Sequence, residues 1–123
     1  PESLAATVRS CRACPLGCHG TPAVPGAGPS GARLMIVGGQ PDDADERAGE
    51  PFSGPAGGVL QQALAAAGIR RDDVYVTHAV KHRAWQERRG QRLPSSADRR
   101  SLEHCRGWLQ RERELVEPAL VVA

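Results

Sequence analysis

An α/β fold built on parallel strands is what this 123-residue sequence predicts. Three observations point there. Leu34-Met35-Ile36-Val37 and Val74-Tyr75-Val76-Thr77 are short apolar runs without polar alternation, the pattern of strands covered on both faces. A helical pattern lies between them. A second helical pattern follows and leads into a third apolar run, Ala119-Leu120-Val121-Val122. Strand, helix, strand, helix, strand is the order of a parallel sheet with crossover connections.

Each element has its own signal. Residues 3–9 read as a short helix, with Leu4 and Val8 four apart. Residues 15–32 are rich in Pro and Gly and read as a looped approach. The first strand ends in Gly38-Gly39, and an acidic loop follows. Gly54-Pro55-Ala56-Gly57-Gly58 opens a helix whose Val59, Leu60, Ala63, Leu64 and Ala67 share one face, and Gly68 is a natural left-handed stop. The second strand is expected to continue towards Val80, with His82 closing it and a basic loop running on to Leu93. Pro94, Ser95 and Asp98, three beyond the serine, mark a helix start. Leu102, Cys105, Leu109 and Val116 then recur at helical spacing until Glu117-Pro118. No internal repeat is visible. The third strand has nothing after it to cover it, so the chain reads as a single domain, 1–123, lacking its carboxyl-terminal part.

Composition narrows the function classes. With 3% aromatic residues, Leu, Val, Ile and Ala must build the interior. A charged fraction of 24% argues against a wholly disordered chain. A net charge of +2 does not by itself imply nucleic-acid binding, but its distribution is uneven. From Lys81 to Arg113 the chain carries Arg83, Arg88, Arg89, Arg92, Arg99, Arg100, Arg106 and Arg111, a local basic stretch able to meet a phosphate backbone or to form a solvated face. No apolar run is long enough to span a bilayer and no leader opens the chain, so a cytoplasmic protein without a membrane partner is expected.

Four cysteines stand at 11, 14, 18 and 105. Three crowded together and one distant suggest a metal site rather than disulfides in an intracellular chain. Cys11-x-x-Cys14 places two thiolates on one metal or cluster edge. Cys105 and His82 are the candidate partners, with Cys18 and His19 as local competitors. Such a set suits zinc or an iron–sulfur cluster, and composition does not separate the two.

Taken together, the motifs become recognisable. Cys11-x-x-Cys14-Pro-Leu, Gly26-Ala27-Gly28, Val37-Gly38-Gly39-Gln40-Pro41, Gly49-Glu50-Pro51-Phe52-Ser53-Gly54-Pro55-Ala56-Gly57 and the run from Val74 to His82 resemble, in that order, the family 4 uracil-DNA glycosylases and their X-type relatives. The resemblance implies a three-layer α/β/α domain and hydrolysis of the N-glycosidic bond of uracil, or a related damaged base, in DNA. It implies a structural [4Fe-4S] cluster, with zinc the alternative, held by Cys11, Cys14, His82 and Cys105. Excision requires a base turned out of the stack into a pocket. The departing uracil anion must be stabilised while water attacks the sugar. By resemblance, Gly38, Gly39 and Gln40 form a pocket wall, Phe52 stacks on the base, His78 reads its edge, and Gln40 and Asp43 serve the reaction, Asp43 by positioning water. Arg83, Arg88, Arg89 and Arg92 grip phosphates, Trp85 supports the loop or stacks on a base, and the protein is expected to act as a monomer on DNA carrying uracil or another damaged base.

The chain departs from the family pattern at named positions. Gly39 stands for a glutamate, Asp42 for a glycine and His78 for an asparagine, and the arginine-rich loop lacks the histidine through which X-type members attack the sugar. The family's later His-Pro-Ser segment lies beyond Ala123. A non-catalytic DNA- or partner-binding module on the same scaffold is therefore the alternative reading, and a zinc-stabilised α/β domain without a link to DNA is the third.

Overall fold

A computed structural model of the chain describes residues 2–9, 23–81, 85–88, 91–94 and 99–123. In chain order the elements are helix α1 (Glu2–Arg9), strand β1 (Leu34–Gly38), helices α2 (Asp43–Ala48) and α3 (Pro55–Ala66), strand β2 (Val74–His78), strands β3 (Trp85–Arg88) and β4 (Gln91–Pro94), helix α4 (Arg99–Val116) and strand β5 (Leu120–Val122). A 3₁₀ turn, Arg71–Asp73, leads into β2.

The predicted parallel sheet forms in the order β2-β1-β5. β1 pairs parallel with β2, Leu34 opposite Val74 through Gly38 opposite His78, and with β5 along Leu34–Leu120 to Ile36–Val122. Because side chains alternate across a strand, the sheet serves two cores. Leu34, Ile36, Val74 and Val76 pack with Leu60, Leu64, Ile69 and Phe52 on the α3 face. Met35, Val37 and Tyr75 pack with Ala32, Leu109 and Val116 on the α4 face. Helices thus cover both faces, the three-layer arrangement the sequence implied. The edge of β2 is covered as well. Ala27 exchanges both backbone hydrogen bonds with Val76, at 2.8 and 2.9 Å, and Val24 N donates to the Lys81 carbonyl at 2.6 Å. Among the described residues, no helix is long and apolar enough to cross a membrane.

α3 ends as expected. Gly68 has φ +74°, its N–H donates to the Ala65 carbonyl at 3.0 Å, and Ile69 N–H reaches Leu64 O at 2.8 Å. These are the two bonds of a Schellman stop, with Ile69 and Leu64 packed together as that motif favours. Its apolar face is narrower than expected. Leu64 is buried and Leu60 half-buried, but Ala63 and Ala67 are exposed and Val59 is 69% exposed, because only the Leu60–Leu64 stripe meets the sheet.

Three further expectations are corrected. The acidic stretch is no loop: Asp42 caps α2, accepting from Asp45 N at 2.8 Å, while Asp45 reaches back to the Asp42 N–H. That reciprocal pair is a capping box built from aspartates. β2 stops at His78, so His82 does not close it. The basic loop contains an antiparallel hairpin in which Glu87 faces Arg92 and Arg88 faces Gln91. β5 forms as expected and, also as expected of a strand with nothing to cover it, is exposed at every residue.

Candidate functional site

Gly38 and His78 are register partners at the carboxyl ends of β1 and β2. In open α/β sheets that is where ligands bind. Both lie on the α3 face of the sheet, and two further groups converge on them.

Phe52 is the first. Its ring stacks on His78, with centroids 4.8 Å apart and an interplanar angle of 28°. Phe52 holds φ +55°, a left-handed conformation uncommon for a side chain of this size, so the stack is bought with backbone strain. Its other contacts are with the α3 core.

Asp45 is the second. It is 2% exposed on α2, and its Oδ2 lies 3.0 Å from His78 Nε2. Its Oδ1 accepts from Ser53 N at 2.8 Å. Burial alone raises a carboxyl pKa, but the Ser53 N–H, the His78 ring and the Asp42 N–H outweigh it and hold Asp45 below its ordinary value. Burial pushes His78 down, against the opposing pull of Asp45, so the ring is neutral at pH 7. Asp45 was not among the residues singled out from sequence. Its signal was present in the Asp42-x-x-Asp45 spacing at the start of a helix.

The Gly38 backbone itself is pressed closely against both rings. A Cβ at Gly38 would lie 2.5 Å from His78 Nδ1 and 3.0 Å from Phe52 Cζ, so only glycine fits there. Beside it, a Cβ at Gly39 meets nothing within 4 Å. His78 Nδ1 is buried and has no hydrogen-bond partner among the described residues.

A second cluster lies on the opposite face of β2 and was also unanticipated. Lys81 is fully buried, its Nζ 2.5 Å from Glu112 Oε1, 2.5 Å from Thr77 Oγ1 and 2.6 Å from the His78 carbonyl. Glu112 also accepts from Thr77 Oγ1 at 2.8 Å, and its other oxygen accepts from Tyr75 OH and Gly26 N, both at 2.8 Å. Burial lowers the Lys81 pKa, with Glu112 opposing, and burial reinforced by Glu112 raises Tyr75. Lys81 therefore does not belong to an exposed basic stretch. It sits inside, saturated with acceptors.

The remaining expected site residues divide. Gln40 is half-buried just beyond β1. Asp43 opens α2 on its outer side, exposed and paired with Arg47. The structure brings Gly38, Phe52 and His78 together, with Asp45 rather than Asp43 against the histidine. Arg88 lies in β3 and Arg92 in β4, the hairpin beside Trp85, while Arg83 and Arg89 fall outside the described residues. So do Cys11, Cys14, Cys18, His19 and His82. Cys105 is buried on α4, and Lys81 N lies 3.4 Å from its Sγ. A buried sulfur receiving a backbone N–H suits a thiolate ligand, and it sits against the residue preceding His82 in the chain. Among the described residues, no three His, Cys, Asp or Glu side chains are grouped to hold a metal ion.

The sequence model of the family described as Uracil DNA glycosylase superfamily matches residues 25–123. Type-4 uracil-DNA glycosylases of Pyrobaculum aerophilum, Archaeoglobus fulgidus and Thermotoga maritima are each 34% identical to this chain. The alignments cover 99%, 98% and 99% of this chain, and 59%, 57% and 60% of the relatives. The chain thus spans less than two thirds of their length.

Proposed function

Since this chain belongs to the uracil DNA glycosylase superfamily, we propose that it hydrolyses the N-glycosidic bond of uracil, or of a related damaged base, in DNA. The observation that carries this reading is the convergence of Gly38, Phe52, His78 and Asp45 at the carboxyl ends of β1 and β2. An aromatic ring and a polar ring at the carboxyl ends of parallel strands are among the parts that recognise a flipped base. The bond between sugar and base breaks with its electron pair leaving on the base, and water adds to the sugar carbon. In this reading Gln40 and the Gly38–Gly39 backbone wall the base, and Asp43 orients the water. Arg83, Arg88, Arg89 and Arg92 hold the phosphates; Arg88 belongs to β3 and Arg92 to β4. The protein acts as a monomer, in the cytoplasm.

Cys11, Cys14, His82 and Cys105 are proposed to hold a [4Fe-4S] cluster, with zinc the alternative. The burial of Cys105 and its N–H donor support this for the one ligand among the described residues. The group supplies structural cross-linking rather than chemistry at the base. It ties the amino-terminal segment and the arginine-bearing region to α4.

One observation favours a second reading, a DNA-binding module without excision. His78 already lies on a Phe52 face, where a base would stack. Incubating the protein with duplex DNA carrying one uracil, then cleaving abasic sites with alkali, separates the two. Strand scission well above a Phe52→Ala control supports the glycosylase. Scission equal to that control, with uracil-dependent binding retained, supports the module. Duplexes carrying hypoxanthine run in parallel.

A further inference from the structure

The orientation of the Phe52 ring is set by the two peptide planes that flank it. With φ +55°, Phe52 holds a conformation that persists only where the surroundings over-determine it. The plane after it is fixed on both edges. Ser53 N–H donates to Asp45 Oδ1 at 2.8 Å, and the Phe52 carbonyl packs so closely on Gly57 that a Cβ there would collide with it. The plane before it is held differently. Its oxygen, the Pro51 carbonyl, accepts from Arg71 Nη2 at 3.2 Å, and Pro51 itself is fully buried.

Arg71 opens the 3₁₀ turn that leads into β2, so it reaches Pro51 from the end of the strand opposite His78. Its guanidinium is drawn out of water, with Nη1 buried and without a hydrogen-bond partner among the described residues. Burial pulls its pKa down, while Glu50, Asp72 and Asp45 pull it back up. An arginine in a protein keeps its charge. A hydrogen bond from a charged donor is roughly twice as strong as one between neutral groups. Arg71 and Asp45 thus grip the backbone on either side of Phe52 with opposite charges, one on a carbonyl and the other on an N–H.

We infer that Arg71 is a positioning residue for the base-stacking ring: by holding the Pro51 carbonyl it keeps Phe52 left-handed and its ring at the carboxyl ends of β1 and β2. Without that donor the plane before Phe52 is free to turn. Its φ then relaxes to the negative values a large side chain prefers, and the ring leaves His78. The purpose given to the ring rests on the base-binding reading above. The hold on the ring does not, so the two are tested apart.

Phe52 is the one phenylalanine of this chain, so 4-fluorophenylalanine labelling gives it a ¹⁹F resonance, identified by its loss in Phe52→Leu. In the first arm, read without DNA, Arg71→Met should move that resonance away from its ring-stacked position. Val116→Ala, which loosens the α4 face of the sheet, should leave it in place. Arg71→Lys keeps the charge but not the planar fork, and guards against a Met variant that does not fold. It should move the resonance the same way by a smaller amount. In the second arm, binding is measured to duplexes carrying the uncleavable 2′-fluoroarabino nucleotides of uracil or thymine. Arg71→Met should reduce the preference for uracil by about ten-fold, as misplacing a group from a distance does. A resonance unmoved in a folded Arg71 variant, or moved equally in Val116→Ala, overturns the inference and leaves the glycosylase reading intact. So does an unchanged uracil preference beside a moved resonance. A wild type without any uracil preference overturns the base-binding reading instead, and the first arm still decides whether Arg71 holds the ring.

Discussion

At Gly38 a single hydrogen atom stands where any other residue would place carbon against His78 Nδ1 and Phe52 Cζ. Gly38→Ala should therefore cost about 1–3 kcal/mol, as overpacking of a tight site does, and should displace His78 from Phe52. Urea unfolding measures the first effect, and loss of uracil-dependent binding the second. Protonation acts at the same place. His78 is held below its ordinary value of 6.5, so on acidification the unfolded chain takes up this proton before the folded chain does. Asp45 is held below 3.8, and the same inequality applies to it at lower pH. Stability rises with pH wherever the unfolded state binds more protons. The urea midpoint should thus fall as pH drops through the region of 6.5 and fall again below 3.8, with the upper step weakened in His78→Phe. The sequence made Gly38, Phe52 and His78 legible because they lie in contiguous motifs. Asp45 escaped because its side chain does two tasks, capping a helix and holding a histidine 33 residues away, and only the first has a local signature.

The elements are held to one another by the network on the far side of β2. Lys81, Thr77 and Tyr75 from the β2 segment, Gly26 from the edge-covering loop and Glu112 from α4 share one set of charge-assisted bonds. Lys81→Met leaves the Glu112 carboxylate buried without its counter-charge, and breaking a buried pair in this way costs about 3–5 kcal/mol. Replacing both residues removes both charges. Lys81→Met with Glu112→Leu should therefore be more stable than Lys81→Met alone, a comparison read from urea denaturation midpoints. Strands and long helices were visible in the sequence because apolar runs and glycine stops are local signals. The β3–β4 hairpin was not: Trp85-Gln86-Glu87-Arg88 and Gln91-Arg92-Leu93-Pro94 have polar composition without strand alternation. α2 was hidden for a similar reason, since six residues, Asp43–Ala48, are too few to show an apolar period.

For the whole molecule, the proposed hold of the hairpin arginines on phosphate would tie affinity for DNA to ionic strength. Arg88→Ala and Arg92→Ala should each weaken binding to every duplex alike and reduce the slope of log affinity against log salt by about 1. Selectivity among bases should stay as it is, because phosphate contacts carry no base information. A salt slope unchanged in both variants, measured by fluorescence anisotropy, would remove the hairpin from the DNA-binding surface. The parallel α/β sheet was legible from strand order, whereas the burial of Lys81 was not, since a lysine amid arginines reads as surface until a distant glutamate is found to meet it. The order β2-β1-β5 also bears on biosynthesis. As the polypeptide leaves the ribosome, β1 acquires a neighbour on one flank once Val74–His78 has emerged, but its other flank waits for Leu120–Val122. Through that interval the nascent chain displays a naked row of amides and carbonyls along its central strand, the kind of surface on which chaperones act and neighbouring polypeptides stick.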